Sequence, residues 1–142
     1  MLNNFFKGII KKIINLILKP KTMFINVPAG TLNLTLGTDA FILNTANIYL
    51  QCQTGSGAVN IILPRISTVA GITTTWGFKI YINDVGNNAS VNNITIIPNA
   101  ADKINGVLTT PIVLNTNGVT GHLQVTGTNS WEFNIGSSSS GG

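Results

Sequence analysis

One histidine, one cysteine and four carboxylates are all that the 142 residues offer for acid–base or nucleophilic chemistry. They are His122, Cys52, Asp39, Asp84, Asp102 and Glu132. Proton transfer in a catalytic site needs titratable groups close enough to perturb one another, and these are well separated along the chain. His122 stands in phase with Thr120, Gln124 and Thr126, on the outward row of an alternating segment, where a surface or interface histidine is the simpler reading than a base. Cys52 ends the alternating stretch 47–52, which favours a small buried hydrophobe over a nucleophile. A single cysteine excludes an internal disulfide and a cysteine-based zinc cluster, and it fits a reducing cytoplasm as the place of synthesis and assembly. Asp84 and Asp102 lie in Asn- and Gly-rich turns, where a side-chain oxygen ordinarily closes the turn. Neither turn supplies the set of oxygen ligands that calcium takes from carboxylates. Gly55-Ser56-Gly57 reads as a hairpin tip, because no helix follows it to make a phosphate loop. Trp76 and Trp131 have the chemistry to stack on sugars, with a core or interface role the simpler reading for each. No catalytic, cofactor or metal site is expected, and the chain is not expected to be an enzyme.

The elements that would carry such residues divide at Pro20. Lys7, Lys11, Lys12, Lys19 and Lys21 place a charge of +5 in the first 21 residues, and the remainder carries −1. Only 8% of the chain is charged, against about 25% in typical soluble domains, while 19 Asn and 17 Thr supply neutral hydrogen-bonding groups. A surface of that kind packs against copies of itself without desolvating unpaired charge, so a homo-oligomer is expected. Nucleic acid is not an expected partner, since the body neither spreads Lys and Arg along a face nor interleaves aromatics with them.

Residues 1–20 read as an amphipathic helix stopped by Pro20. At 100° per residue, Leu2, Phe5, Phe6, Ile9, Ile10, Ile13, Ile14, Leu16 and Ile17 share one broad face. Lys7, Lys11, Lys12 and Lys19 lie on the other. Lys11 and Lys12 interrupt the apolar run, which argues against a signal peptide, and the run is too short to span a bilayer. Two readings stay strong. Phe6, Ile10, Ile13 and Ile17 follow the spacing of a heptad seam whose isoleucines favour three or four strands, so Phe6, Ile9, Ile10, Ile13 and Ile17 are the expected anchoring or trimerising residues. Alternatively the lysines meet anionic lipid while the apolar face enters the headgroup layer. Packing of the helix on its own β body is a third, weaker reading.

Beyond Pro20 the hydrophobic period falls to two. Residues 31–36, 59–63, 78–83, 94–97, 119–126 and 131–135 alternate clearly, with weaker candidates at 23–27, 41–43, 47–52 and 112–114. Gly-, Asn- and Pro-rich turns separate them. The expected fold is mainly β, a sandwich or barrel-like domain of about nine or ten short strands over residues 21–136. Residues 137–142, Ser-Ser-Ser-Ser-Gly-Gly, are expected to form a flexible tail. The outward rows of Asn, Thr and Gln carry few of the charges that usually protect sheet edges, which again suggests covering by neighbouring subunits.

From Val59 onward, Val59-Asn60-Ile61-Ile62-Leu63-Pro64, Gly77-Phe78-Lys79-Ile80-Tyr81-Ile82-Asn83-Asp84 with Gly86-Asn87 and Ala89, Asn93-Ile94-Thr95-Ile96-Ile97-Pro98, Ile104-Asn105-Gly106 and Gly127-Thr128-Asn129-Ser130-Trp131 follow in order. This succession resembles the β module of fibre, spike and capsid-appendage proteins of tailed bacteriophages, over residues 59–136. The resemblance implies a trimeric virion protein without enzymatic activity, attached by its N-terminal end. Leu-Pro and Ile-Asn-Gly would shape turns and the late tryptophan would pack a core. The small size points to a short head fibre or capsid decoration protein on the capsid surface, made in the host cytoplasm and offering weak adhesion to a host-surface glycan. A tail fibre or spike component, and a membrane- or carbohydrate-binding module using the basic helix, are the alternatives. Residues 1–58 depart from the pattern, which leaves the attachment partner open.

Overall fold

A computed structural model describes residues 6–9, 21–34, 45–66, 79–99 and 101–136. Within it the chain is mainly β, with eleven strands in two mixed sheets. The strands are β1 (Lys21–Val27), β2 (Gly30–Asn33), β3 (Thr45–Cys52), β4 (Val59–Ile62), β5 (Lys79–Asp84), β6 (Ile94–Ile97), β7 (Lys103–Ile104), β8 (Val107–Leu108), β9 (Ile112–Leu114), β10 (Thr120–Gly127) and β11 (Ser130–Ile135). The first sheet has the order β1-β3-β5-β10-β11-β7-β8 and the second β2-β4-β6-β9.

The first six strands coil rather than fold back in hairpins. β1, β3 and β5 lie parallel in one sheet, and β2, β4 and β6 lie parallel in the other. The chain therefore passes from sheet to sheet five times, laying each strand beside the one two before it. Parallel neighbours need long connections, and here the other sheet serves as the connection. Alternation alone does not reveal this, because it fixes which face a residue takes and not the direction of the neighbouring strand.

What aligns the coils is a repeated tetrad of aliphatic, aromatic, aliphatic and amide residues. Met23-Phe24-Ile25-Asn26 pairs in register with Ile48-Tyr49-Leu50-Gln51, and that with Ile80-Tyr81-Ile82-Asn83. The aliphatic positions face inward, where Ile48, Leu50, Ile80 and Ile82 are fully enclosed. On the second sheet Leu32, Ile61 and Ile96 form the corresponding inward row, and both inward faces contribute to one core with Leu123, Trp131 and Phe133. Each enclosed aliphatic side chain contributes about 1.5–3 kcal/mol. A slip of one residue would turn a whole row to solvent, so the register is strongly specified.

The last strands close the stack with antiparallel pairs. β10 runs against β5 and β11, and β9 against β6. Gly121 lets the ring of Phe133 lie over it, since a Cβ there would come within 2.6 Å of that ring. β7 and β8 form a two-residue hairpin at Asn105-Gly106, both with positive φ (51° and 79°), the conformation that Asn-Gly turns favour. The Asn105 side chain also reaches β11, where its Oδ1 accepts from the Phe133 N–H at 2.8 Å. Read from sequence as a bare turn, this segment is itself two short strands.

The N-terminal segment is described over residues 6–9, which are helical. Phe6 and Ile9 remain exposed there. The rest of the expected helix, the expected strand at 41–43 and the Ser/Gly tail after Gly136 lie outside the described residues.

Candidate functional site

Two carboxylates of the body, Asp84 and Asp102, are spent on holding its loops. Asp84 ends the inward row Val27, Cys52, Asp84 and is buried at the corner where coils turn from one sheet to the other. Its Oδ1 accepts from the Thr54 hydroxyl at 2.5 Å. Its Oδ2 accepts from the N–H groups of Ala89 at 3.1 Å and Gly118 at 3.0 Å. Thr54 Oγ1 in turn accepts from the Asn88 N–H, and Asn92 Nδ2 donates to the Thr54 carbonyl. Three separate loops are thus tied through one carboxylate, whereas the sequence suggested that it closed only its own turn. Gly86 passes so close that a Cβ would lie 2.4 Å from the Thr54 nitrogen.

Asp102 is likewise long-range in its action. It is fully buried, and its Oδ2 accepts from the Ile66 N–H at 2.8 Å across 36 residues of sequence. Burial raises its carboxyl above the ordinary value, opposed by that hydrogen bond and by the charge of Arg65. Cys52 is enclosed in the core. Burial first, and then the negative charge of Asp84, push its thiol up to about 12, the reverse of what activates a cysteine nucleophile. His122 cannot join these groups, because it lies on the outward face of the sheet whose inward face holds Cys52 and Asp84. Among the described residues no group of His, Cys, Asp and Glu is placed to hold a metal ion.

The outward face of the seven-stranded sheet is where the molecule offers chemistry. The second tetrad position places Phe24, Tyr49 and Tyr81 side by side, and His122 of β10 continues the row. Phe24 stacks on Tyr49 at 4.8 Å between ring centroids and Tyr49 on Tyr81 at 4.4 Å, with planes within 21° and 5°. Between Tyr81 and His122 the column opens to 5.7 Å and 39°. Each such pair adds about 0.5–1.5 kcal/mol beyond its buried area. Phe24, on the edge strand, is the most open of the four at 67% exposure.

Two positions along, the tetrad amides make a parallel polar row of Asn26, Gln51 and Asn83, which Thr120 continues. Asn83 donates to Gln51 at 3.4 Å, and Gln53 donates to Asn26 at 2.8 Å. Between the two rows runs a groove of about 280 Å³. Tyr49, Tyr81 and His122 wall one side and Asn83, Thr120 and Gly136 the other, over a floor at Ile82 and Gly121. Sequence reading placed His122 and its row outward but did not bring the aromatics together. The signal that finds them is the repeated tetrad.

Of the expected sugar-stacking candidates, Trp131 does not line the groove. Trp131 is packed in the core, as the simpler reading had it, and Trp76 lies outside the described residues. Of the expected anchoring and lipid-contacting residues, Phe6, Lys7 and Ile9 are exposed on the helical turn. Ile10, Lys11, Lys12, Ile13, Ile17 and Lys19 lie outside the described residues, as does Asp39. No described helix is long and apolar enough to cross a membrane. Neither a family model nor a curated protein matches the chain.

Proposed function

We propose that this chain is a structural protein of a virion, a short head fibre or capsid decoration protein that attaches through residues 1–20 and presents its β body outward as a trimer. The observation that supports this reading is the allocation of side chains. The enclosed carboxylates and thiol serve the fold, and the outward face of the large sheet carries neutral amides, hydroxyls and a preformed aromatic column. Such a face suits contact and adhesion rather than turnover. The exposure of Phe6 and Ile9 also favours docking of the N-terminal segment on a partner over packing on its own body. The edge strand β1 begins directly after Pro20, so a helix there would meet the body at the open end of the coil.

Sedimentation equilibrium of the purified chain should give three times the monomer mass, and deletion of residues 1–20 should abolish incorporation into particles. A monomer that incorporates equally well without those residues would overturn the proposal. The aromatic groove specifically favours one alternative, a carbohydrate-binding module, and a glycan contact is compatible with either reading.

A further inference from the structure

We infer that the groove between the Tyr49–Tyr81–His122 row and the Asn83–Thr120 row is a binding site for an uncharged glycan, with a pyranose ring lying over Ile82 and Gly121. This deepens the adhesive part of the proposed function and rests on that reading only in taking the outward face of the large sheet as the presented surface.

The geometry of the strands makes the groove. Alternate residues on one face are about 6.6–6.8 Å apart along a strand, and the residues between them, Ile82 and its register partner Gly121, point inward. The floor is therefore flat peptide. One wall offers aromatic carbon, and the other offers the amide of Asn83 and the hydroxyl of Thr120. A sugar ring has the same two-sided character, with C–H groups on its faces and hydroxyls at its rim. The parting of Tyr81 from His122 leaves ring surface uncovered at the groove, whereas Tyr49 and Tyr81 largely cover one another.

Charge selects among ligands of similar size. Among the described residues no Asp, Glu, Lys or Arg lines the groove. Lys79 and Glu132 belong to the row on the far side of the aromatic column, in register with Gln124. An anionic ligand would lose hydration without gaining a counter-charge, and a purely apolar one would strip water from Asn83 and Thr120 without replacing their hydrogen bonds. A neutral polyhydroxylated ligand satisfies both walls. The rings are already immobilised by stacking, so binding orders little that is free.

The test is affinity electrophoresis of the full chain in gels containing dextran, galactomannan, hydroxyethyl cellulose or polygalacturonate. Retardation is expected in at least one of the three neutral gels and should survive about 0.5 M salt, because no ion pair is screened. The double substitution Tyr81→Leu with His122→Ala should weaken it about tenfold or more, equivalent to the loss of about 1.4 kcal/mol. Asn83→Ala with Thr120→Val removes the polar wall without touching the column and should do the same if the first variant fails to fold. Val113→Ser, on the outward face of the other sheet, should leave retardation unchanged. Absence of retardation in every neutral gel, retardation confined to polygalacturonate, or retention of binding by a folded groove variant would overturn the inference. The gel does not read particle incorporation, so failure here and failure of the attachment proposal are separate results.

Discussion

Replacing Asp84 by alanine should disconnect the corner at which the coils turn. The carboxylate accepts three hydrogen bonds, from the Thr54 hydroxyl and from the N–H groups of Ala89 and Gly118. Asp84 and Thr54 are both buried, so truncation leaves donors that water does not readily reach. A buried polar group left without a partner costs about 1–3 kcal/mol. Three such losses do not add fully, because the loops relax together, and a net cost of about 3–5 kcal/mol is expected. That is a large share of the roughly 5–15 kcal/mol that stabilises a domain.

Urea unfolding of Asp84→Ala should show the midpoint falling with little change in slope, which reports lost stability rather than an altered unfolded state. Hydrogen exchange should locate the loss, with the amides of Asn88, Ala89 and Gly118 deprotected before those of Ile61 and Ile96 in the second sheet. Asp84→Asn should cost less, about 1–2 kcal/mol, because its oxygen can still accept the two N–H groups while its amide donates to Thr54. A loss below about 1 kcal/mol for Asp84→Ala, or deprotection that begins in the second sheet, would refute the view that this carboxylate ties the loops.

Other perturbations probe the remaining buried groups. Cys52, with its thiol pushed up to about 12, should react with a disulfide reagent at pH 8 only as fast as the protein opens, and labelling at the rate of a free thiol would contradict its enclosure. Asp102 has its carboxyl raised from 3.8 by burial, so the folded state holds that proton more tightly than the unfolded chain; its contribution is full below about pH 4 and is lost as pH rises through the folded value. Asp102→Asn should therefore flatten this part of the stability profile above pH 4 and stabilise the protein at pH 7, as chemical denaturation across pH would show; an unchanged profile would count against it. Gly86→Ala should cost about 2–3 kcal/mol, because the nearest atoms to the added methyl are the backbone nitrogens of Thr54 and Gly55, and a thermal melt unchanged from wild type would refute that close approach. Asn105→Gly keeps the left-handed turn but removes the side-chain bond to the Phe133 N–H; a loss of about 1–2 kcal/mol is expected, and a neutral result would assign Asn105 to the turn alone.

Local order was legible in the sequence where side chains alternate against a single core. The strands around Val59, Ile94, Leu123 and Phe133 fall where period-two patterning places them, and the enclosed Cys52 follows from its phase. Strand direction was not legible, because a parallel and an antiparallel neighbour demand the same alternation. The repeated tetrad was available at Met23, Ile48 and Ile80, but it recurs after unequal intervals, and solenoid repeats are ordinarily recognised by a fixed period. The aromatic column depends on that register, so it escaped notice with it. The reach of Asp84 and Asp102 was hidden for a related reason. A side chain in an Asn/Gly turn looks local until the loops from other coils are brought beside it.

The unequal intervals have a structural counterpart. In the first coil only Pro28 and Ala29 separate β1 from β2, while the later corners contain 53–58 and 85–93. The growing corners supply Thr54, Ala89 and their neighbours to the Asp84 junction, which gathers the β10 lead-in at Gly118 as well. The first coil takes part more simply, through Gln53 N–H donating to the Val27 carbonyl. Strength is thus concentrated away from β1. Toward its other end the large sheet finishes in the two-residue strands β7 and β8, and short edges resist further pairing. β1 is seven residues long, carries no charge from Thr22 to Val27, and exposes Phe24 at the end of the aromatic column. The asymmetry supports an N-terminal attachment. An edge of that length and neutrality is more readily tolerated where an assembly covers it than where it faces water throughout the life of the protein.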